Sequence, residues 1–160
     1  MADQRHEALI KEGTTVWEAW RKSNPGILPD LGKSDLQNFD LTFATLYDTI
    51  FYKANLKKAN LKGANLRQAN LTCADMSRTN LWFADLSFSI LYMANLQGAD
   101  LKKTNFCYAD LSGANLLAAQ NLTAEQLSQV KTLYKATLDT HLKNQIAAHW
   151  PHLLEDPEKK

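Results

Sequence analysis

Ala54-Asn55-Leu56-Lys57-Lys58, Ala59-Asn60-Leu61-Lys62-Gly63, Ala64-Asn65-Leu66-Arg67-Gln68 and Ala69-Asn70-Leu71-Thr72-Cys73 follow one another without a gap. The phrase extends both ways, from Ser34 to Ala118, through 17 consecutive pentads. With the central residue numbered i, the centres run every five residues from Leu36 to Leu116, and all are Leu except Phe51, Met76 and Phe106. Position i−2 is small: Ala, or Ser34, Thr49, Thr79, Ser89 and Thr104, with Phe39 the one bulky residue. Position i−1 is Asp or Asn except at Thr45, Ile50 and Ile90. Positions i+1 and i+2 take nearly any residue, as solvent-facing positions do.

A period of five fits neither a helix, which repeats near 3.6, nor a strand, which repeats at 2. In a helix the Leu stripe would wander by roughly 140° per repeat and bury no single face. A chain that turns one side per pentad points every centre inward, and short periods of this kind signal a stacked solenoid. The A-[N/D]-L-x-x run resembles the pentapeptide-repeat family over about half of the chain. The resemblance implies a right-handed quadrilateral β-helix, four pentads to a coil, with i and i−2 inward. Seventeen pentads would make a β-solenoid of a little over four coils, about 20 Å long at the roughly 4.8 Å spacing of stacked strands.

The expected organisation is an N-terminal helical cap over 1–28, the β-helix over 29–120, a C-terminal helical cap over 121–154, and a flexible tail over 155–160. Residues 3–23 read as two helices broken at Gly13. Thr15 with Glu18 forms a capping-box pair in front of an apolar side of Val16, Trp17, Ala19 and Trp20. Covering the open first coil is the expected role of the tryptophans, with Phe39 helping to plug that end. After Leu116 the register fails, since the next centre would be Asn121. Thr123 and Gln126 make a second capping-box pair, with Leu127, Val130 and Tyr134 at helical spacing behind it. A last helix from about Thr140 to Trp150 carries Leu142, Ile146 and Trp150 on one side and stops at Pro151. Dimerisation through this helical pair is the alternative to a cap. The charged tail is expected to be solvated and mobile.

The 160 residues carry a net charge of +1, which creates no global field toward nucleic acid or an anionic membrane. No apolar run approaches the roughly 20 residues of a spanning helix. The first residues lead into no signal-type apolar core, so cytoplasmic localisation is expected, with no membrane partner and nucleic acid disfavoured. Cys73 and Cys107 fall at outward positions nearly two coils apart in the family geometry and are expected as free thiols. His149 and His152 form a conceivable metal pair, but Pro151 separates them and no further ligand stands at a familiar spacing. No catalytic constellation emerges, and no cofactor or metal site is expected.

The Asp/Asn column reads as structural: short polar side chains bond nearby backbone and hold each corner. The two residue types alternate freely along the chain, which a charge-dependent role would resist. Some members of the resembled family mimic duplex DNA and thereby act on DNA gyrase. That role needs a strongly acidic rod, and between 34 and 118 eight bases stand against seven acids. The departures from the repeat point elsewhere. Outward positions of the coil from Ala74 to Met93 include Trp82, Phe83, Phe88, Ile90, Tyr92 and Met93. Tyr47, Ile50, Tyr52 and Tyr108 extend this set to a belt around three sides. The expected function is a non-enzymatic scaffold presenting this belt to an unidentified partner protein or to itself, unless the terminal helices fold back over it.

Overall fold

The computed structural model describes residues 2–159. Met1 and Lys160, the outermost residues of the expected N-terminal segment and tail, lie outside the described residues. The pentads build a four-sided rod. Each i−1 residue makes a parallel bridge to the residue twenty positions on, from Asp30↔Ile50 to Asp100↔Gln120. Each side of a coil therefore contributes one bridged residue and one tight turn, and no long strand forms. The sides are named by their centres: side A by Leu36, Leu56, Met76, Leu96 and Leu116; side B by Leu41, Leu61, Leu81 and Leu101. Side C follows from Leu46, Leu66, Leu86 and Phe106, and side D from Leu31, Phe51, Leu71, Leu91 and Leu111.

One pentad shows how the coils hold together. Leu56 N–H donates to Asp75 C=O at 2.7 Å, Lys58 N–H to Ser77 C=O at 2.9 Å, and Asn55 N–H to Ser34 C=O at 2.9 Å. Ala59 N–H closes the corner by donating to Leu56 C=O at 3.0 Å. Every backbone group of this pentad that faces a neighbouring coil is thus used, which a buried chain requires. Inside, the centres and the i−2 alanines are buried and form one continuous core.

The corner geometry is stricter than the loose composition of i+2 implied. Every i+2 residue from Lys33 to Ala118 has φ between 53° and 67°, the left-handed region. Among these positions no Val, Ile or Thr occurs. A branched Cβ collides with the backbone there, whereas unbranched side chains tolerate it at a cost.

The Asp/Asn column bonds the corner as expected: Lys57 N–H donates to Asn55 Oδ1 at 3.2 Å and Ser77 N–H to Asp75 Oδ1 at 2.9 Å. Stacking adds a second set of bonds. Asn55 Nδ2 donates to Asp35 Oδ1 at 2.8 Å, Asn95 to Asp75 at 3.1 Å and Asn105 to Asp85 at 3.0 Å. Asp and Asn therefore do not alternate freely. Read at the twenty-residue spacing, no Asp sits directly on another Asp, because an Asn supplies donors where a second carboxylate would repel the first.

Helices α1 (Gln4–Lys11) and α2 (Thr14–Ser23) lie on the first coil. Trp17 is fully buried in the common core and its Nε1 donates to Thr45 C=O at 2.9 Å. Phe39 packs partly buried against the same core. The Thr15–Glu18 capping box does not form. Gly13 is the N-cap and makes no side-chain bond; Glu18 instead accepts from Thr45 N–H at 2.6 Å. An edge amide with no coil below it outcompetes a helix end that water can solvate.

The C-terminal segment departs further from expectation. The Thr123–Gln126 capping box is present, but α3 is a single turn, Ala124–Leu127. The chain then returns to the rod: Asp110↔Thr132 and Asn115↔Thr137 are parallel bridges at a spacing of twenty-two. Lys135 is left-handed at φ 58° and Ala136 N–H closes a corner on Leu133 C=O at 2.8 Å. Val130 and Tyr134 are thus not on a helix. Gln126 donates to Leu101 and Thr104 carbonyls at 2.9 and 3.0 Å, serving the coil edge left open by the two-residue insertion. Helix α4 (Thr140–His149) follows with Leu142 and Ile146 buried, and Leu133 N–H on the last coil donates to Leu153 C=O at 2.7 Å. Pro157–Lys159 form a 3₁₀ turn.

Candidate functional site

Outward side chains are set by the corner. Position i+1 stands on the flat of a side and i+2 projects from the left-handed corner, so bulky residues at i+2 are held away from the rod. Phe88 and Tyr108 occupy i+2 on side C, and Ile90 begins side D next to them. Tyr92 and Met93 complete the same coil on side D. These five side chains are 45% to 62% exposed, and the terminal helices do not cover them.

The cluster has internal order. Phe88 and Tyr108 stack with ring centroids 5.3 Å apart and planes at 11°. The Arg67 guanidinium lies 5.5 Å from the Phe88 centroid and is held by Ser87 Oγ at 2.8 Å and Asp85 at 3.5 Å. A groove of about 520 Å³ runs along this corner between Asp48, Arg67, Gln68, Phe88 and Ile90. A second, of about 290 Å³, lies between Tyr92, Met93, Gly113 and Tyr134. Tyr134 joins the apolar side only because the chain re-enters the rod at Thr132.

The other expected residues separate from this cluster. Tyr47 lies under the Arg21 guanidinium of α2, 4.2 Å from its ring centroid, and belongs to the N-terminal packing. Ile50 is half-buried, and Tyr52 is exposed beside Lys53, whose pKa is raised by a hydrogen bond and charge interaction with the Tyr52 hydroxyl. Trp82 is half-buried on side B with the ammonium groups of Lys62 and Lys102 over its ring at 5.8 and 4.7 Å. Phe83 projects from the corner between sides B and C with Lys103 5.2 Å from its ring. The belt therefore divides: the larger patch lies at the corner of sides C and D, Phe83 stands at the corner of sides B and C, Trp82 faces the corner of sides A and B, and Ile50 and Tyr52 lie on side D two coils before Ile90 and Tyr92.

Phe43 was missed. It is 69% exposed and stands in the same corner column as Phe83 with Gly63 between them. A Cβ on Gly63 would lie 2.4 Å from the Phe43 ring, and Gly63 is left-handed at φ 64°, so the ring leans over a position only glycine leaves free. The signal is present at the twenty-residue spacing Phe43, Gly63, Phe83, where aromatic, glycine and aromatic alternate in one column.

Cys73 and Cys107 are free and half-buried. Among the described residues, no three His, Cys, Asp or Glu side chains group to hold a metal ion, and no helix is long and apolar enough to cross a membrane.

A family model described as pentapeptide repeats matches in eight copies, at residues 30–63, 49–81, 59–92 and 83–116, together more than half of the chain. Among solved structures, the chain is similar to a pentapeptide repeat protein (Rfr23) from the cyanobacterium Cyanothece 51142, at 32% identity and a TM-score of 0.51. That match covers 62% of this chain and 64% of the other, so the chain spans less than two thirds of that protein's length. A pentapeptide repeat protein from the Arabidopsis thaliana thylakoid lumen is 24% identical with a TM-score of 0.49, covering 74% of each chain. One from Nostoc PCC 7120 is 30% identical with a TM-score of 0.42, covering 71% of this chain and 83% of the other. No curated protein matches.

Proposed function

The chain belongs to the pentapeptide-repeat family, whose members fold as right-handed quadrilateral β-helices, and from that premise we propose that it is a non-enzymatic scaffold holding a partner protein on the corner of sides C and D. The observation that carries the reading is the exposed cluster of Phe88, Ile90, Tyr92, Met93 and Tyr108 on a rod whose coils are bonded to one another on all four sides. Burying the exposed half of each such side chain is worth about 1 kcal/mol, so the five together contribute about 5 kcal/mol to a contact centred on them. A rod with a single packed core presents them with little loss of conformational freedom on binding.

The filled interior argues against catalysis: large apolar centres and small i−2 residues occupy it from end to end, and the grooves are external. The terminal helices act as lids on the open coil ends, which would otherwise invite edge pairing. Free thiols at Cys73 and Cys107 fit a reducing compartment such as the cytoplasm. DNA mimicry toward gyrase is disfavoured: of the seven acids between 34 and 118, only Asp48 stands at an outward i+1 or i+2 position, whereas all eight bases do.

The test is the triple variant Phe88→Ser, Tyr92→Ser, Tyr108→Ser, compared with the wild type in pull-down from the native host and in sedimentation. Unchanged thermal unfolding with lost association supports the reading. Association unaffected by the three changes removes it, and loss of a dimer in sedimentation identifies the partner as a second copy.

A further inference from the structure

On sides A and B the acids and the bases keep to different columns. Asp35, Asp40, Asp75 and Asp100 all stand in the i−1 column, each Oδ1 accepting from the backbone N–H two residues on, and Asp75 and Asp100 are half-buried. The outer positions of the same two sides carry Lys57, Lys58, Lys62, Arg78, Lys102 and Lys103 and no acid. None of these six cations comes within 4.0 Å of a carboxylate among the described residues, where the ion pairs are His6–Asp3, Lys11–Glu7, Arg67–Asp85 and Lys131–Asp110. A chain close to neutral by count thus presents a positive surface here.

Three of the cations converge on one place. Lys62, Arg78 and Trp82 line a groove of about 580 Å³ at the corner of sides A and B, with Asp100 on its wall. Lys102 reaches over the Trp82 ring from the following coil as Lys62 does from the preceding one. Above Arg78 the corner column continues with Gly98 and Ala118, whose size leaves the groove open. Asp100 is already engaged by Lys102 N–H at 3.2 Å and by Asn121 Nδ2 at 2.8 Å. The Trp82 Nε1–H is buried and lacks an acceptor among the described residues, whereas Trp17 uses the same group on Thr45. A buried donor left unpaired is costly, and a small turn of the indole edge toward a carboxylate held by the flanking lysines would relieve it.

We infer that this groove binds an acidic segment of a protein, its carboxylates received by Lys62, Arg78 and Lys102 around the Trp82 edge. The geometry favours a peptide over a single-stranded nucleic acid. Binding of the latter relies on bases stacking on open aromatic faces, and the Trp82 ring already has an ammonium over it from each neighbouring coil. The inference is independent of the apolar corner of sides C and D, which shares no residue with the groove.

The experiment is fluorescence anisotropy of a labelled peptide of about ten glutamates against the full chain, at low and at physiological salt. The wild type should bind with affinity that falls as salt rises. Lys62→Gln, Arg78→Gln, Lys102→Gln should weaken binding at least about tenfold, while Lys53→Gln, Lys58→Gln, Lys103→Gln, which removes equal charge outside the groove, should change it less than about threefold. The Phe88→Ser, Tyr92→Ser, Tyr108→Ser variant should bind the peptide as the wild type does, so that failure here and failure at the apolar corner are told apart. Absence of wild-type binding, equal weakening by the two charge variants, or tighter binding of an oligothymidylate of the same length would each overturn the inference.

Discussion

Replacing Lys58 by Gly should make the protein more stable, although glycine usually weakens a folded chain. Lys58 is at i+2 with φ 58°, its side chain is exposed, and no carboxylate lies within bonding range. A left-handed backbone costs a residue with a Cβ roughly 1–2 kcal/mol. Glycine removes that cost but loses about 0.5–1 kcal/mol more chain entropy on folding. The balance is a gain of up to about 1.5 kcal/mol, centred on about 0.75 kcal/mol. The bonds from Lys58 N–H to Ser77 and from Ala59 N–H to Leu56 are backbone bonds and survive the change. Two companion variants isolate the cause. Lys57→Gly, one residue earlier and outside the left-handed set, keeps the entropy loss without the relief and should lose about 0.5–1 kcal/mol. Lys58→Val puts a branched Cβ in the left-handed region and should lose more than about 1 kcal/mol. The assay is urea unfolding at one temperature, reading the shift in midpoint at constant slope. Equal destabilisation by Lys58→Gly and Lys57→Gly would refute the reasoning, since it would mean that the corner carries no strain.

Leu86 is fully buried, so Leu86→Ala should cost about 2–5 kcal/mol in the same assay, and Leu86→Lys should unfold the rod by burying an unpaired charge. Asn55→Asp removes the donor to Asp35 and stacks three carboxylates with Asp75. It should lose about 1 kcal/mol at neutral pH, and the loss should disappear as pH falls below about 4, because repulsion raises the folded-state pKa. Asp40 is held below its ordinary value by the Thr42 hydroxyl, then the Thr42 backbone N–H, against the opposing effect of desolvation, with the Asn60 amide a lesser contributor. It should therefore add stability above the ordinary carboxylate pKa that is lost as pH falls through the lowered one. Thr42→Val should move the Asp40 carbon resonance titration back toward the ordinary value.

The rod was legible because one rule, apolar at i and small at i−2, repeats without a break and leaves helix and strand no alternative. What was lost lay where two local preferences competed. Val130 and Tyr134 share a helical spacing with Leu127, but Thr132-Leu133 repeats the pentad phrase two residues out of register, and the open coil edge wins over helix propensity. Glu18 fits a capping box equally well on paper, yet the unpaired Thr45 amide takes it. Other features were legible only at the twenty-residue spacing that the fold itself defines. No Asp stacks on Asp, Phe43 and Phe83 share a column across Gly63, and on sides A and B the acids keep to the i−1 column while the bases hold the outer ones. The missing branched residues at i+2 were visible in the chain from the start, and they mark the left-handed corners. Of the candidate belt, Phe88, Ile90, Tyr92, Met93 and Tyr108 come together at one corner. Tyr47 does not, because a guanidinium from a helix twenty-six residues away covers it, a contact that no spacing within the repeat encodes.

The central claim is that the regular positions build the rod and that binding resides in the departures at the corner of sides C and D. Oxidative side-chain footprinting of the free chain and of the chain bound to the partner captured from its native host tests it most directly. Protection of Phe88, Tyr92, Met93 and Tyr108, with Phe43 and the terminal helices unchanged, is the predicted result. Protection confined to the terminal helices, with those four side chains as reactive as in the free chain, would contradict it.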